Sequence, residues 1–334
     1  MNRVLIVGPK FHYFLESLAR AFTELGWECH TEAYDNPIHP YTFGHKVCYK
    51  LSTDKVSEKI KSCKRYERYI RTIFIQTNPD LVFIVNGDNL LTNTITYFRE
   101  HSKVIIWFFD SITRLAPYCQ KNATEADAVY CYEQEDIPIL QEEGVKAIFL
   151  PQAVDTKLYY PIEGTEKKYD IVFAGEIWNS AKRQKYLKTV INHFQDRRIR
   201  IIGRYKIKEK GFLRWLFREH KDIYTNSNAS VEELNRLYNE ARVVLNIHLE
   251  QQKNGANPKV YEIMASGALQ VCDSNPYIST HFQGCPILLY ANEKEMINQI
   301  EVALNQTDIA YPKDEISRNT FVQRVAQVLK EQNL

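Results

Sequence analysis

Short, largely apolar runs alternate with helix-length amphipathic stretches along this chain, and no other feature narrows the possible folds as much. Val4–Val7, Asp80–Val85, Val104–Phe109, Ala128–Tyr132, Asp170–Ala174, Ile199–Ile202, Val243–His248 and Leu269–Cys272 read as strands. Consecutive apolar residues, rather than an in-out alternation, fit strands buried on both faces, which is the pattern of a parallel sheet covered by helices. After the first run, Gly8-Pro9-Lys10 leads into Phe11, Phe14, Leu15, Leu18, Phe22 and Leu25 at helical spacing, and Gly26 closes that helix before Trp27–Tyr34 resumes as a strand. The opening is therefore a β-α-β unit of a doubly wound α/β fold. No G-x-G-x-x-G follows the first strand, so the dinucleotide fingerprint is missing.

A chain of 334 residues suits two domains. Residues 151–161, PQAVDTKLYYP, carry a proline at each end of a short extended segment, as an interdomain connection should. The expected division is 1–150 and 164–316, with the boundary near residue 163 and a final helix at 317–334 crossing back to the first domain. A net charge of +2 is no nucleic-acid signature. Seven scattered cysteines without C-x-x-C read as buried thiols, not as a disulfide framework or zinc site. No apolar run approaches the roughly 20 residues of a membrane span, and MNRVLIVG runs straight into a strand, so a cytoplasmic location is expected. Residues 206–221 interleave basic and aromatic side chains. Such a segment packs its aromatics inward or lies on an anionic membrane as a peripheral contact.

The chemistry concentrates in Asn254–Asp273. Asn257 suits an N-cap and Pro258 the first helical position. Val260, Ile263, Met264 and Gly267 form the buried stripe, and Lys259, Glu262 and Ser266 fall on the other face. That face is either solvated or functional. A helix start offers unpaired N–H groups and a positive dipole end that hold phosphate. Lys259 would add a cation there, and Glu262, one turn deeper, is placed to accept both hydroxyls of a ribose. Further polar groups sit at strand ends or helix starts: His12, Asn86, Asp110, the loop from Gly175 to Lys182, Arg183 and Lys185, and Arg204 after Gly203. For His12 the choice is an exposed helix-start residue or a group for acceptor binding or proton transfer. Asn86 and Asp110 are turn formers or cleft-edge groups. Glu133, Glu135 and Asp136 read as helix-opening residues rather than metal ligands. Ser230 and Glu233 make a capping box on the helix ahead of the strand Val243–His248.

Asn257, Lys259, Tyr261, Glu262, Ala265, Gly267 and Asp273 together resemble the motif of the CgeB-like, spore maturation protein type members of the GT-B glycosyltransferases. The Leu150-Pro151, Val154-Asp155 and Pro161 pattern, WFFD at 107–110 and ASVEELNRLYNEARVVLNI are similar to the same group. Lys259 stands where that family usually has Arg, and Asn254 where many retaining relatives carry a glutamate on the donor sugar. The resemblance implies two Rossmann-like domains facing across a cleft, with the acceptor on the N-terminal one and the donor on the other. It further implies a glycosyltransferase using a nucleotide-diphosphate sugar as co-substrate with no other cofactor, and a saccharide, protein or lipid-linked acceptor. Retention of configuration follows by the same analogy, and no D-x-D pair of a metal-dependent transferase is present, so no metal is expected. The candidate catalytic residues are then Lys259, Arg183, Asp110 and His12, and the candidate donor-binding residues are Gly175, Lys182, Arg204, Asn254, Asn257 and Glu262. Two other readings stay open: a nucleotide-sugar epimerase of the same fold, and a non-catalytic nucleotide-binding surface-layer protein.

Overall fold

The structure is a computed structural model that describes residues 1–10, 13–34, 51–178, 180–203, 212–220, 222–306 and 310–334. His12 and Arg204 lie outside the described residues, as do Phe11 and Asn179. The chain divides into two compact units, Met1–Pro151 with Phe321–Leu334, and Gln152–Thr320.

In the first unit β1 (Arg3–Gly8), α1 (Phe14–Glu24), β2 (Glu28–Ala33), α2 (Lys55–Thr77), β3 (Leu81–Val85), α3 (Thr92–Arg99), β4 (Lys103–Phe108), α4 (Pro117–Thr124), β5 (Ala128–Cys131), α5 (Asp136–Glu142) and β6 (Ala147–Phe149) follow in order. The six strands form one sheet in the order β2-β1-β3-β4-β5-β6, every neighbouring pair parallel. Each residue of β3 and β5 is buried, as is all of β4 except its first. The continuous apolar runs thus reflect a sheet covered on both faces. Among the acidic positions after β5, Asp136 is buried and accepts from the Ser111 hydroxyl at 2.7 Å and the Ile112 N–H at 2.9 Å. It therefore clamps the turn after β4 as well as opening α5.

The second unit runs β7 (Tyr169–Ala174), α6 (Ala181–His193), β8 (Ile199–Ile202), α7 (Phe212–Glu219), β9 (Tyr224–Thr225), α8 (Val231–Asn239), β10 (Ala241–Asn246), α9 (Pro258–Ala265), β11 (Leu269–Asp273), α10 (Pro276–His281), β12 (Ile287–Tyr290), α11 (Glu293–Leu304) and α12 (Lys313–Arg318). Its parallel sheet has the order β12-β11-β10-β7-β8-β9. Connections fan out in opposite directions from β7 and β10, and the crevice at their carboxyl ends is where open α/β sheets bind ligands. The Ser230–Glu233 capping box is formed at the start of α8. In α7, Leu216 is buried and Trp215 packs against the same core, so the inward-packing reading of this segment holds for the residues described.

The segment after Pro151 is not extended throughout, since the Leu158 and Tyr159 N–H groups both donate to the Asp155 carbonyl at 3.0 Å, and it packs with the second unit. Val154 N–H donates to the Asn319 carbonyl at 3.0 Å, Tyr160 N–H to Asn235 Oδ1 at 3.1 Å, and Ile162 N–H to Asn239 Oδ1 at 2.7 Å. The change of unit thus falls at Pro151, ahead of the residue 163 suggested by the two prolines. The C-terminal stretch is not one helix either. It breaks after Arg318 and restarts as α13 (Phe321–Glu331), which belongs to the first unit. Phe321 lies 6.3 Å from the rings of Tyr13 and Phe109 and 6.4 Å from Trp107. Farther along, Tyr130 donates to Glu331 at 2.9 Å and Lys103 to the Gln332 carbonyl at 2.9 Å.

Candidate functional site

At the carboxyl end of β7 the chain turns through Gly175, whose φ is +157°. A Cβ built there would stand 3.5 Å from Arg183 Nη1 and 3.5 Å from Lys259 Cε. Glycine thus leaves open the point toward which the two cationic side chains converge. The turn is held close from the β8 side, because a Cβ on Gly203 would come within 2.2 Å of the Gly175 carbonyl oxygen.

Arg183 is buried in the first turn of α6. Its Nε donates to the Ile247 carbonyl and its Nη1 to the Glu176 carbonyl, each at 2.8 Å, which fixes the guanidinium between the ends of β10 and β7. Burial lowers its pKa to about 10 despite the opposing fields of Asp273, Glu176 and Glu250. Lys259 is half-buried, and desolvation lowers its pKa as well. The nearby Glu262 carboxylate works against that shift and the Arg183 charge adds to it. Among the described residues neither cation has a carboxylate within salt-bridge distance. Two like charges held together out of water call for an anion.

The three basic residues at the start of α6 are distinguished by their partners. Lys182 forms an ion pair with Asp273, and Lys185 forms one with Glu293 while remaining largely exposed. Only Arg183 is both buried and without a paired carboxylate. Glu250 accepts from the Ser180 hydroxyl and the Lys182 N–H, both at 3.0 Å, and so caps α6.

Helix α9 begins as its sequence dictates. Asn257 Oδ1 accepts from Val260 N–H at 3.3 Å, and Pro258 contributes no donor. That leaves the Lys259 N–H without a partner among the described residues, on the residue that carries the ammonium. The other side of the helix differs from the solvated-face reading. Glu262 is 5% exposed and Ser266 2%, so the helix is enclosed nearly all round. Ser266 donates to Asn235 Oδ1 at 2.9 Å. The Glu262 carboxylate faces two buried phenols, Tyr159 and Tyr238, whose rings stack 6.2 Å apart. Both hydroxyls are pushed far above the usual range, first by burial and then by that carboxylate.

Asn257, Lys259, Glu262, Gly175, Arg183 and Lys182 thus gather at the carboxyl edge of the second sheet. Asn254 lies half-buried on the loop between β10 and α9. Asp110 belongs to the first unit, where its Oδ2 accepts from Asn86 Nδ2 at 3.1 Å. Asn86 Oδ1 in turn accepts from the Phe109 N–H at 2.7 Å, so Asn86 acts as a turn former.

Three residues of this site were not singled out by their spacing. Asn246 and Gln270 are polar side chains inside otherwise apolar strands, and their amides meet at 2.9 Å. His248, just past β10, lies 2.7 Å from Asp273 and accepts from the Asn257 N–H at 3.2 Å. A polar residue interrupting a buried strand was the available signal. His248, Cys272 and Asp273 come close enough to suggest a metal site. Both imidazole nitrogens already have partners, however, so the ring offers no lone pair. No helix among the described residues is long and apolar enough to cross a membrane.

Residues 182–331 match the family model described as glycosyl transferase-like. No curated protein matches the chain. Among solved structures, the chain is similar to a sucrose-phosphate synthase from Thermosynechococcus elongatus, with 11% identity, a TM-score of 0.63, and coverage of 99% of this chain and 94% of that one. An alpha,alpha-trehalose-phosphate synthase (UDP-forming) from Burkholderia vietnamiensis aligns over 100% of both chains at 12% identity and a TM-score of 0.62. The UDP-GlcNAc 2-epimerase from Methanocaldococcus jannaschii covers 99% of this chain and 100% of its own at 13% identity, with a TM-score of 0.59. With its two parallel six-stranded sheets, this chain has the α/β fold of the GT-B glycosyltransferases.

Proposed function

We propose that the second unit binds a nucleotide-diphosphate sugar and that the protein transfers the sugar to a saccharide, protein or lipid-linked acceptor. The observation that carries this reading is the pair Arg183 and Lys259, converging beside Gly175 without a carboxylate partner among the described residues. An anion with two phosphate groups suits a site with two cations, the open N–H of Lys259 and the positive end of α9. As the glycosidic bond breaks, negative charge grows on the leaving diphosphate, and these groups, fixed beforehand, stabilise it. Glu262 serves the nucleoside end as acceptor for ribose hydroxyls, and Asn254 borders the sugar. The ion pair to Asp273 makes Lys182 a support for the site rather than a phosphate ligand. In this reading the charge stabilisation comes from the protein's own cations and no metal takes part; retention of configuration and a CgeB-like subtype extend it by resemblance.

Two of the similar structures bear on the donor. A trehalose-6-phosphate structure from E. coli is described as bound with UDP-2-fluoro glucose, and the M. jannaschii epimerase as in complex with UDP-GlcNAc and UDP. Uridine nucleotides are therefore the first to test. A thermal-shift screen of nucleotide sugars should raise the melting temperature for at least one, since a ligand that binds only the folded state stabilises it. Product analysis with and without acceptors then separates transfer from epimerisation, which needs no acceptor. Turnover of the donor sugar to its epimer in the absence of any acceptor would replace transfer by epimerisation.

A further inference from the structure

The N-cap of α9 is tied down at several polar atoms by buried side chains. Asn257 Nδ2 donates to Asn246 Oδ1 at 3.0 Å, and Asn246 Nδ2 donates back to Asn257 Oδ1 at 3.1 Å. Gln270 extends this buried amide array by accepting from Asn246 at 2.9 Å and donating to the Val260 carbonyl at 3.3 Å. The Asn257 backbone N–H goes to His248 Nε2.

His248 is itself locked. Its Nδ1 lies 2.7 Å from Asp273 Oδ1, the same oxygen that accepts the His248 backbone N–H at 2.9 Å, while Lys182 pairs with the other oxygen. A carboxylate only accepts, so Nδ1 carries the proton and Nε2 presents its lone pair to Asn257. The ring is 1% exposed. Lys182, Asp273, His248 and Asn257 thus form a chain that ends at the residue from which Lys259 is hung.

We propose that His248 is a positioning residue for the diphosphate end of α9: by accepting the Asn257 N–H it sets the direction of the Lys259 N–H and ammonium. This rests on the nucleotide reading above, and it goes further by giving the aim of that site to a group outside the motif that suggested it. Removing the Nε2 acceptor leaves the Asn257 N–H buried and unbonded, and the cap rotates to relieve it. Removing the Nδ1 donor instead leaves the cap seated.

Two substitutions separate these contributions. His248→Gln puts an amide oxygen near the Nε2 position and keeps the acceptor, whereas His248→Asn keeps a donor toward Asp273 and lacks it. Calorimetry with UDP, GDP, ADP and dTDP should find the His248→Gln affinity within about threefold of wild type and the His248→Asn affinity reduced by about tenfold or more. Amide hydrogen exchange on the unliganded proteins should show faster exchange at Asn257 in His248→Asn alone. A role confined to core stability would lower both melting temperatures and change affinity and exchange alike in the two variants, which would overturn the proposal. Should wild type bind none of these diphosphates, the nucleotide reading falls, and the exchange pattern still decides whether His248 seats the cap.

Discussion

Arg183 and Lys259 come to within 3.5 Å of one point in space, the position a Cβ would take on Gly175. The repulsion between them is a cost in the empty protein and an asset once an anion sits there. Lys259→Met should therefore weaken nucleotide-diphosphate binding by about 1.5–3 kcal/mol, the range for a hydrogen bond to a charged group. It should leave the unliganded melting temperature unchanged or higher. Titration calorimetry and a thermal melt of the same preparation check both halves. Arg183→Met should instead lower both, because it strips the Ile247 and Glu176 carbonyls of their donor.

Glu262→Gln keeps the shape of the side chain under α9 and removes its charge. Loss of a charged acceptor for ribose hydroxyls should cost roughly 1–3 kcal/mol of nucleotide affinity. A folded Glu262→Gln protein with wild-type affinity would remove Glu262 from the binding residues and leave it as a partner of Tyr159 and Tyr238.

Gly203→Ala tests the support beneath Gly175. With a Cβ only 2.2 Å from the Gly175 carbonyl oxygen, one backbone segment has to move. The variant should lose about 1–3 kcal/mol of stability, as overpacked sites do. Nucleotide affinity should fall with it, since the displaced turn carries the open point between the two cations. Urea unfolding gives the first quantity and calorimetry the second.

Asp273 supplies a pH signature. Burial alone would raise its carboxyl, but His248 and Lys182 outweigh burial and hold it well below the usual carboxylate range. A depressed carboxylate contributes stability that is fully present above the unfolded value of about 3.9 and is lost as pH falls through the lower folded value. Wild type should therefore lose stability as the pH drops below about 4, and Asp273→Asn should show a shallower acid limb. At neutral pH the same variant should be destabilised by about 3 kcal/mol or more, because Lys182 is left without its partner. Melting temperatures across the acid range, compared between the two proteins, decide it.

The strands were legible because sheets covered on both faces demand apolar runs, and the start of α9 because Asn257 and Pro258 are local signals. What failed depended on neighbours distant in sequence. Glu262 and Ser266 looked solvated from spacing, yet Asn235, Tyr238 and Tyr159 enclose them, and no periodicity within α9 reports that. Lys182, Arg183 and Lys185 were equivalent by position and were separated only by Asp273 and Glu293. Residues 151–161 were recognisable as a connection from their prolines, but not the turn at 155–159 inside it. Asn235 and Asn239, far along the chain, decide which unit they join. His248 was passed over because a single histidine after a strand has no spacing to read.

The placement of α13 has a consequence for biosynthesis. Phe321 covers Tyr13, Phe14 and Phe109 in the first unit, although every residue from Gln152 to Thr320 folds elsewhere. On the ribosome, the part of the protein made earliest would wait for the part made last before its aromatic cluster is shielded. A nascent chain stalled at Thr320 would present those rings to water and to chaperones, with its second unit already assembled.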